Sequence, residues 1–143
     1  MDPEAPPERT EALAVATRAL VRREHSQRSL RERLLRARVG ADEADAVLVE
    51  LRRLGLLDDG RFVRERARVL AERGKGDAAI RSDLEHAGVD GGEIEAALAG
   101  LDPEAGRAAR LVERRGAGPA TARLLTSRGF DEDVVAAFVA PEA

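Results

Sequence analysis

One residue pattern occurs three times along the chain with the same internal spacing. Counted from Leu20, Leu70 and Leu111, an arginine follows after three positions, a leucine after fourteen and an apolar residue after nineteen. A register held over three copies predicts a repeat protein, in which each copy is one supersecondary unit. The further matching positions are Arg23, Arg73 and Arg114; Leu34, Leu84 and Leu125; Val39, Val89 and Phe130; Ala44, Ile94 and Val135; and Leu48, Leu98 and Val139.

Composition determines which kind of element these copies contain. Only 2% of the residues are aromatic and 36% are charged, and Ala, Leu, Arg and Glu dominate. These residues favour helices, whereas strands need β-branched and aromatic residues. The sequence therefore predicts an all-α fold of three tandem three-helix repeats. Because so small a unit buries little by itself, we expect the repeats to stack into an elongated array.

Apolar periodicity and capping residues place three short helices in each copy. Predicted N-caps are Ser26 or Ser29 (the latter in a capping box with Glu32), Asp58 or Asp59, Asp77 after the Gly74–Gly76 break, Asp102 with Pro103 at the first helical position, Gly118 before Pro119, and Asp131. The predicted core positions are Leu30, Leu34, Ala37, Val47, Leu48, Leu51, Val63, Ala67, Leu70, Ile80, Leu84, Ile94, Ala97 and Leu98.

The boundaries follow from these elements. We predict an acidic, proline-rich tail over residues 1–10 and three-helix repeats over residues 11–56, 57–101 and 102–140. The longest apolar runs are far shorter than the roughly 20 residues of a transmembrane helix. The acidic N-terminal segment also lacks the basic and apolar regions of a signal peptide. We therefore expect a cytoplasmic protein that does not contact membranes.

Charge is distributed in alternating blocks along the chain. Nine arginines and three acids between residues 9 and 38 give +6, whereas one arginine and eight acids between residues 76 and 106 give −7, although the whole chain carries only −3. A dominant basic footprint, typical of DNA-binding domains, is absent. The blocks suit a partner that carries both signs of charge, such as a protein filament on nucleic acid. Alternatively, the blocks are solvated faces that pair within the fold.

No set of residues predicts catalysis. The chain has no cysteine, and its two histidines, His25 and His86, lack metal-ligand spacing, so we expect them at the surface or at helix ends. Asp58 and Asp59 could in principle hold a metal, but a helix cap is the simpler interpretation. Gly74-Lys75-Gly76 lacks the strand and the pattern of a phosphate loop. The sequence thus predicts a non-enzymatic protein without cofactor or metal.

Several segments, taken in order, resemble the RecX family. The central segment 54–62, LGLLDDGRF, resembles the family signature LGYLDDxRFA, with Leu56 in place of the aromatic. Segment 20–26, LVRREHS, is similar to the run L-x-R-R-E-R-S, and segment 73–76 with Ile80–Leu84 resembles R-K-G-x-G…I-x-x-E-L. The signature residues are Leu54, Gly55, Leu57, Asp58, Asp59, Arg61 and Phe62. Arg38 departs from the glycine usual at its position.

The resemblance implies a fold and a function. RecX proteins are tandem three-helix repeats that form a curved molecule, so we expect an elongated, curved array, either right-handed or bow-shaped. They bind RecA, chiefly as the RecA–DNA filament, and suppress its ATPase, strand-exchange and co-protease activities in recombination, DNA repair and the SOS response. The expected partners are RecA and its filament, with direct contact to single- or double-stranded DNA left open, and the expected state is a monomer.

Exposure and charge select the candidate contact residues. Arg28, Arg31 and Arg36 lie off the Leu30/Leu34 face and should be exposed. The predicted filament-binding residues are Arg22, Arg23, Arg28, Arg31 and Arg36 in copy one, Arg61, Arg64 and Arg68 in copy two, and Arg115, Arg123 and Arg128 in copy three. The alternative function is a stand-alone helical nucleic-acid-binding module. It is weakened by the negative net charge and by the lack of aromatics for base stacking.

Overall fold

The structure, a computed structural model, describes residues 7–138 and is entirely helical over that range. Predicted positions 1–6 and Val139 lie outside the described residues. None of the described helices is long and apolar enough to cross a membrane. The helices are α1 (Pro7–Arg22), α2 (Gln27–Arg36), α3 (Ala41–Arg53), α4 (Asp59–Glu72), α5 (Asp77–His86), α6 (Gly91–Ala99), α7 (Glu104–Arg115), α8 (Pro119–Ser127) and α9 (Glu132–Ala136).

The all-α prediction is confirmed, and three helices fall in each predicted repeat. The first helix begins at Pro7, inside the predicted tail, because proline suits the first helical position and Glu8 favours the positive end of the helix dipole. Elsewhere the repeat boundaries stay a prediction, as does the elongated, curved shape of the array.

The chain forms two compact units. Among the described residues, unit 1 contains residues 7–62 together with Ala87–Val89, and unit 2 contains Val63–His86 and residues 90–138. Residues 87–89 form the turn after α5, so unit 1 takes a short turn from the second repeat. Each unit has its own core.

The core of unit 1 lies among α1, α2 and α3. Helix α1 contributes three buried alanines, which let its backbone approach the leucines of α2 and the apolar face of α3 closely. The partly buried Leu13, Val15 and Leu20 of α1 pack against the same cluster. Apolar burial of each large side chain contributes on the order of 2 kcal/mol. The buried residues are Ala12, Ala16, Ala19, Leu30, Leu34, Ala44, Val47, Leu48, Leu51 and Leu57. The predicted positions on α2 and α3 are confirmed except Ala37, which is exposed at the C-cap of α2.

The start of α2 is completed by groups from later in the chain. The Ser26 hydroxyl accepts a hydrogen bond from the Ser29 N–H at 3.0 Å and donates to the Ala87 carbonyl at 2.8 Å. The Asp59 carboxylate accepts from the Gln27 N–H at 2.8 Å. Ser26 is therefore the N-cap, and the predicted capping box of Ser29 with Glu32 is wrong. Its failure follows from Ser26, whose fully buried hydroxyl already holds the Ser29 N–H.

Unit 2 buries the predicted apolar faces of α4, α5 and α6 and a second cluster around α7, α8 and α9. All predicted core residues on the first three helices are buried. They are Val63, Ala67, Leu70, Ile80, Leu84, Ile94, Ala97 and Leu98. The second cluster comprises Ala108, Leu111, Leu125, Phe130 and Val135. Leu34, Leu84 and Leu125, which occupy the same position in the three repeats, are all fully buried. The repeated residue pattern therefore indicates which residues form the core.

Helix α5 starts in a way that the sequence does not reveal. Asp77 does not cap the helix, and this prediction is wrong. It is the first helical residue: its N–H donates to Glu104 Oε2 at 2.6 Å, and its carboxylate accepts from Arg107 at 2.8 Å. The same Glu104 accepts through Oε1 from the Asp131 N–H at 3.1 Å. One carboxylate from α7 therefore serves the starts of both α5 and α9.

Two glycines allow a turn to lie directly against α5. The Gly76 N–H donates to the Arg128 carbonyl at 2.8 Å, and the Ala78 N–H donates to the Gly129 carbonyl at 3.2 Å. A Cβ on Gly76 would overlap the Phe130 nitrogen and lie 2.5 Å from the Gly129 carbonyl. Gly129 has φ +88°, where side chains are unfavourable, and lies against Ala79. Arg38 adopts φ +68° at the matching position of the first copy.

The remaining capping predictions have mixed outcomes. Gly118 before Pro119 opens α8, and Asp131 caps α9 by accepting from the Asp133 N–H, so both predictions are confirmed. For α7 the prediction is wrong by one residue. Pro103 is the N-cap with extended ψ of 142°, and Asp102 instead accepts from Arg110 at 2.9 Å.

Gly76→Ala should destabilise the protein, because the new methyl group meets backbone atoms that cannot rotate away. We expect a loss of at least about 2 kcal/mol in the free energy of unfolding, measured by urea denaturation. Gly106→Ala is the matched control. Gly106 lies in α7 with nothing within 4 Å of its Cβ position, so the change should stabilise by about 1 kcal/mol. A Gly76→Ala protein as stable as the parent would contradict the close approach of the turn.

Candidate interaction surface

The segment 54–62 forms the turn between α3 and α4 in unit 1. Gly55, with φ +74°, ends α3: its N–H donates to Arg52 O, and the Leu56 N–H donates to Leu51 O at 2.9 Å, as in a Schellman motif. Asp58 caps α4 by accepting from the Arg61 N–H at 3.1 Å. The cap interpretation of Asp58 is thus confirmed, and no cluster of metal-binding side chains occurs among residues 7–138.

The Arg61 side chain stabilises this turn through contacts within unit 1. Its Nε donates to Glu24 at 2.5 Å, and its two terminal nitrogens donate to the carbonyls of Gly55 at 3.1 Å and Leu56 at 3.3 Å. The hydrogen bond to Glu24 raises the pKa of Arg61. All three nitrogens of the predicted contact residue are therefore occupied within unit 1. Its geometry favours a positioning role in the signature turn.

The apolar signature residues divide into buried and exposed ones. Leu57 is buried in the core of unit 1, and Phe62 is half-buried. Leu54 and Leu56 are 54% and 52% exposed on a turn whose backbone Arg61 fixes. The signature therefore combines core, caps and a rigid turn.

Unit 2 contains a comparable arginine that sequence analysis did not select. Arg107 on α7 is only 7% exposed. It donates to the Asp77 carboxylate at 2.8 Å and to the carbonyls of Asp102 and Lys75, and its guanidinium lies 6.0 Å from the centre of the Phe130 ring. Its position four residues before Leu111, on the core face of α7, was the available signal.

His25 lies between α1 and α2 and is only 4% exposed, so the expectation of a surface position is wrong. It does lie at a helix end, as predicted, and its Nδ1 is 2.9 Å from the Ser29 hydroxyl. Burial, followed by the charges of Arg23 and Arg33, lowers the pKa of His25 below its ordinary value of 6.5. His86 is exposed at the end of α5, with Nδ1 2.7 Å from the Ser82 carbonyl.

The predicted contact arginines fall into two groups. Those with side-chain partners inside their own unit are Arg28 (Glu32), Arg31 (Asp45), Arg61 (Glu24), Arg68 (Glu65 and Glu72) and Arg128 (Arg73 carbonyl). Those with no acidic partner within 4 Å among residues 7–138 are Arg22, Arg23, Arg36, Arg64, Arg115 and Arg123. The second group is exposed, so its members can bind a partner without breaking an internal ion pair.

Four arginines without a partner in the described chain lie together on α1 and α2. Two adjoining depressions share Arg18 and Arg33. One is completed by Arg22, Leu13, Ala14, Thr17 and Val21, and the other by Arg36, Val15 and Ala37. We call this surface the α1–α2 groove. Among residues 7–138, no acidic residue lines it. Val21 is 81% exposed.

A second basic groove lies within unit 2, between the end of α4, the end of α7 and the turn after α8. It is lined by Glu72, Arg73, Gly74, Leu111, Arg114, Arg115 and Arg128. Glu72 is engaged by Arg68 at 2.6 Å. Arg128 fits here because Gly74 has no side chain, and a Cβ there would overlap its guanidinium. We call this surface the α4–α7 groove.

The grooves include four arginines that the sequence analysis missed. Arg73 and Arg114 occupy the repeat position of Arg23, which was selected, so the register contained the signal. Arg18 precedes Arg22 by one helical turn and lies on the same face of α1. Arg33 gave no signal, because its place in the groove depends on how α2 packs on α1.

Comparison with known proteins matches this architecture. The family model for the second three-helix domain of RecX matches residues 58–98. The regulatory protein RecX of Halorhodospira halophila is 38% identical over 87% of this chain and 84% of its own length. That of Stenotrophomonas maltophilia strain K279a is 36% identical over 81% of this chain and 77% of its own.

Solved structures agree in fold. The crystal structure of RecX from Lactobacillus salivarius superposes with a TM-score of 0.76 over 92% of this chain and 94% of that one, at 17% identity. Another crystal structure of regulatory protein RecX gives 0.75 over 92% and 72%, at 21% identity. The fold is thus that of helical-repeat regulatory proteins. The chain belongs to the RecX family.

Arg61→Ala and Arg64→Ala should separate the two groups of arginines. Both lie on α4, but only Arg61 has internal partners. We expect Arg61→Ala to lower the free energy of unfolding by about 1–2 kcal/mol, since Glu24 and two carbonyls lose their donor. Arg64→Ala should stay within about 0.5 kcal/mol of the parent in the same urea titration. Equal effects would show that Arg61 does not hold the turn.

His25 should make stability depend on pH. Because its pKa is lowered in the folded state, the unfolded chain binds more protons near pH 6.5. The His25 contribution is therefore complete above about pH 7.5, decreases as the pH falls through 6.5, and stops changing below the folded pKa. Urea titrations between about pH 5 and 8 measure this slope.

The slope should shrink in His25→Gln and persist in His86→Gln. The measurement is the change of stability with pH, so the comparison remains valid even if His25→Gln lowers the overall stability. A slope unaltered by His25→Gln would assign the effect to other groups.

Proposed function

We propose that this protein binds the RecA recombinase in its DNA filament and suppresses its ATPase, strand-exchange and co-protease activities, without catalysis of its own. Family membership supports a regulatory role. The observation that carries the contact surface is the presence of unpartnered arginines in a groove on each unit, since surface cations without internal partners are available to an anionic partner.

Two grooves on one chain also explain how modest contacts can give useful affinity. The second groove binds at high effective concentration once the first is engaged, provided that the partner repeats its contact sites. A filament repeats them at every subunit. The predicted arginines of copy one, foremost Arg22, Arg23 and Arg36, and Arg115 of copy three would be the contact residues. Arg61 and Arg107 would hold the repeats in shape.

The rival function is a stand-alone nucleic-acid-binding module, which the polar lining of the α4–α7 groove favours. Its arginines could neutralise phosphates, and affinity would then fall steeply with salt. Gel shifts with DNA alone, at two salt concentrations, distinguish this function. Strong salt-dependent binding together with no effect on RecA would support the rival.

RecA ATPase on single-stranded DNA, titrated with this protein below stoichiometry, tests the proposal. We expect inhibition by the parent protein. Arg22→Glu with Arg36→Glu should raise the concentration for half-inhibition at least about tenfold, because two cations become anions at the contact surface. Arg38→Glu with Arg52→Glu carries the same change in charge outside both grooves and should shift it less than about twofold. A parent protein that leaves the ATPase unchanged contradicts the proposal.

A further inference from the structure

The two grooves differ in chemistry, because the α1–α2 groove combines apolar side chains with its arginines. Leu13, Thr17 and Val21 stand at intervals of four residues, so they form one row about 12 Å long on α1. We call it the apolar row, although the Thr17 hydroxyl is a polar group within it. Ala14, Arg18 and Arg22 form the neighbouring row on α1, also at intervals of four residues. The α4–α7 groove has no comparable exposed apolar row. The α1–α2 groove is therefore amphipathic.

A basic strip runs next to the apolar row. Arg18 and Arg22 come from α1, and Arg33 and Arg36 come from α2. None has an acidic partner within 4 Å in the described part of the chain, whereas most other arginines of unit 1 do. The protein as a whole is acidic, so four uncompensated cations in one place produce a local positive potential against the overall charge.

Val21 is the most exposed apolar side chain of this surface. It is 81% exposed, the largest exposure of any bulky apolar residue recorded in the structure, and it lies directly before Arg22. A scattered exposed valine needs no explanation. Here it continues a row that begins at the half-buried Leu13 and borders a strip without counter-ions.

We propose that the α1–α2 groove is the docking site for an amphipathic helix of a partner protein, with an apolar row on one face and carboxylates beside it. The chemistry of the groove selects this occupant. An apolar row with helical spacing matches a helix laid along it, and four arginines match acidic side chains. This inference rests on the proposed function, because it assigns the protein component of the filament to this groove.

Other anionic partners fit less well. A phosphodiester strand would pair with the arginines but leave the apolar row against water, and the lining has no aromatic side chain for base stacking. An anionic lipid surface would draw in the arginines, but the described lining offers no aromatic side chain for insertion, and its Leu13 is already half-buried against the core of unit 1. Both are outcomes of the test.

A synthetic peptide decides between these partners. The probe is a fluorescently labelled helical peptide of about five turns, with leucines at helical spacing and glutamates beside them. Its two controls replace glutamate by glutamine or scramble the order of residues. Anisotropy titrations are run on the full chain, beside single-stranded oligo-dT and vesicles containing phosphatidylglycerol.

Variants locate the site. Arg18→Glu with Arg22→Glu should weaken binding of the acidic peptide at least about tenfold. Val21→Ser should weaken it about threefold to tenfold without a change in charge, and its exposure makes misfolding no obstacle. Arg38→Glu with Arg52→Glu should stay within about twofold. Circular dichroism of each variant verifies the fold.

The outcomes separate this inference from the proposed function. Loss of peptide binding in the first two variants alone supports the groove. Equal binding of all three peptides, or binding of oligo-dT or vesicles through the same arginines without the peptide, overturns it. A parent protein that inhibits RecA but does not bind the peptide overturns only the inference. A protein that binds the peptide but does not inhibit RecA overturns only the proposed function.

Discussion

The structure depends on the hydrogen bonds at the starts of helices α2 and α5. The first N–H groups of an α-helix have no acceptor within the helix. Here segments further along the chain supply acceptors for them. In unit 1, Ser26 joins the Ala87 carbonyl while Asp59 takes the Gln27 N–H. In unit 2, Glu104 accepts from the Asp77 N–H, and the carbonyls of the turn at residues 128–129 accept from the Gly76 and Ala78 N–H groups on either side of it. The first two triplets are thus completed by polar contacts as well as by apolar packing.

Arginine performs two different tasks in the chain, and the structure separates them. Arg61 and Arg107 hold backbone carbonyls and carboxylates inside their units, where the planar guanidinium can bind several acceptors at once. Others, such as Arg22 and Arg115, are exposed and have no acidic partner within the part of the chain that the structure describes. A composition in which nearly all basic residues are arginine therefore reflects no single role. The stabilising ones belong to turns and the available ones to grooves.

Much of the fold could be predicted from the sequence, because the repeat register and helical periodicity report local and apolar packing. The core leucines, the caps at Asp58 and Asp131 and the break at Gly74 follow from nearby residues. Polar contacts between residues far apart in the sequence could not be predicted in this way. The choice of Ser26 over Ser29, the role of Asp77 and the burial of His25 all depend on residues at least 27 positions away or on helix packing. For the grooves, the exposure of the arginines could be predicted from helical periodicity. Their lack of an ion-pair partner could not, because it depends on the tertiary structure.

The completion of the α2 and α5 starts by downstream segments has a consequence for synthesis of the chain. A ribosome releases the first triplet before Asp59, Arg61 and the turn at residues 87–89 exist, so the first unit emerges with its α2 start still hydrated. The second unit waits in the same way for the turn at 128–131. Folding is therefore expected to lag emergence by about one repeat, and the nascent chain would show its incompletely capped helices to chaperones in the order in which it is made.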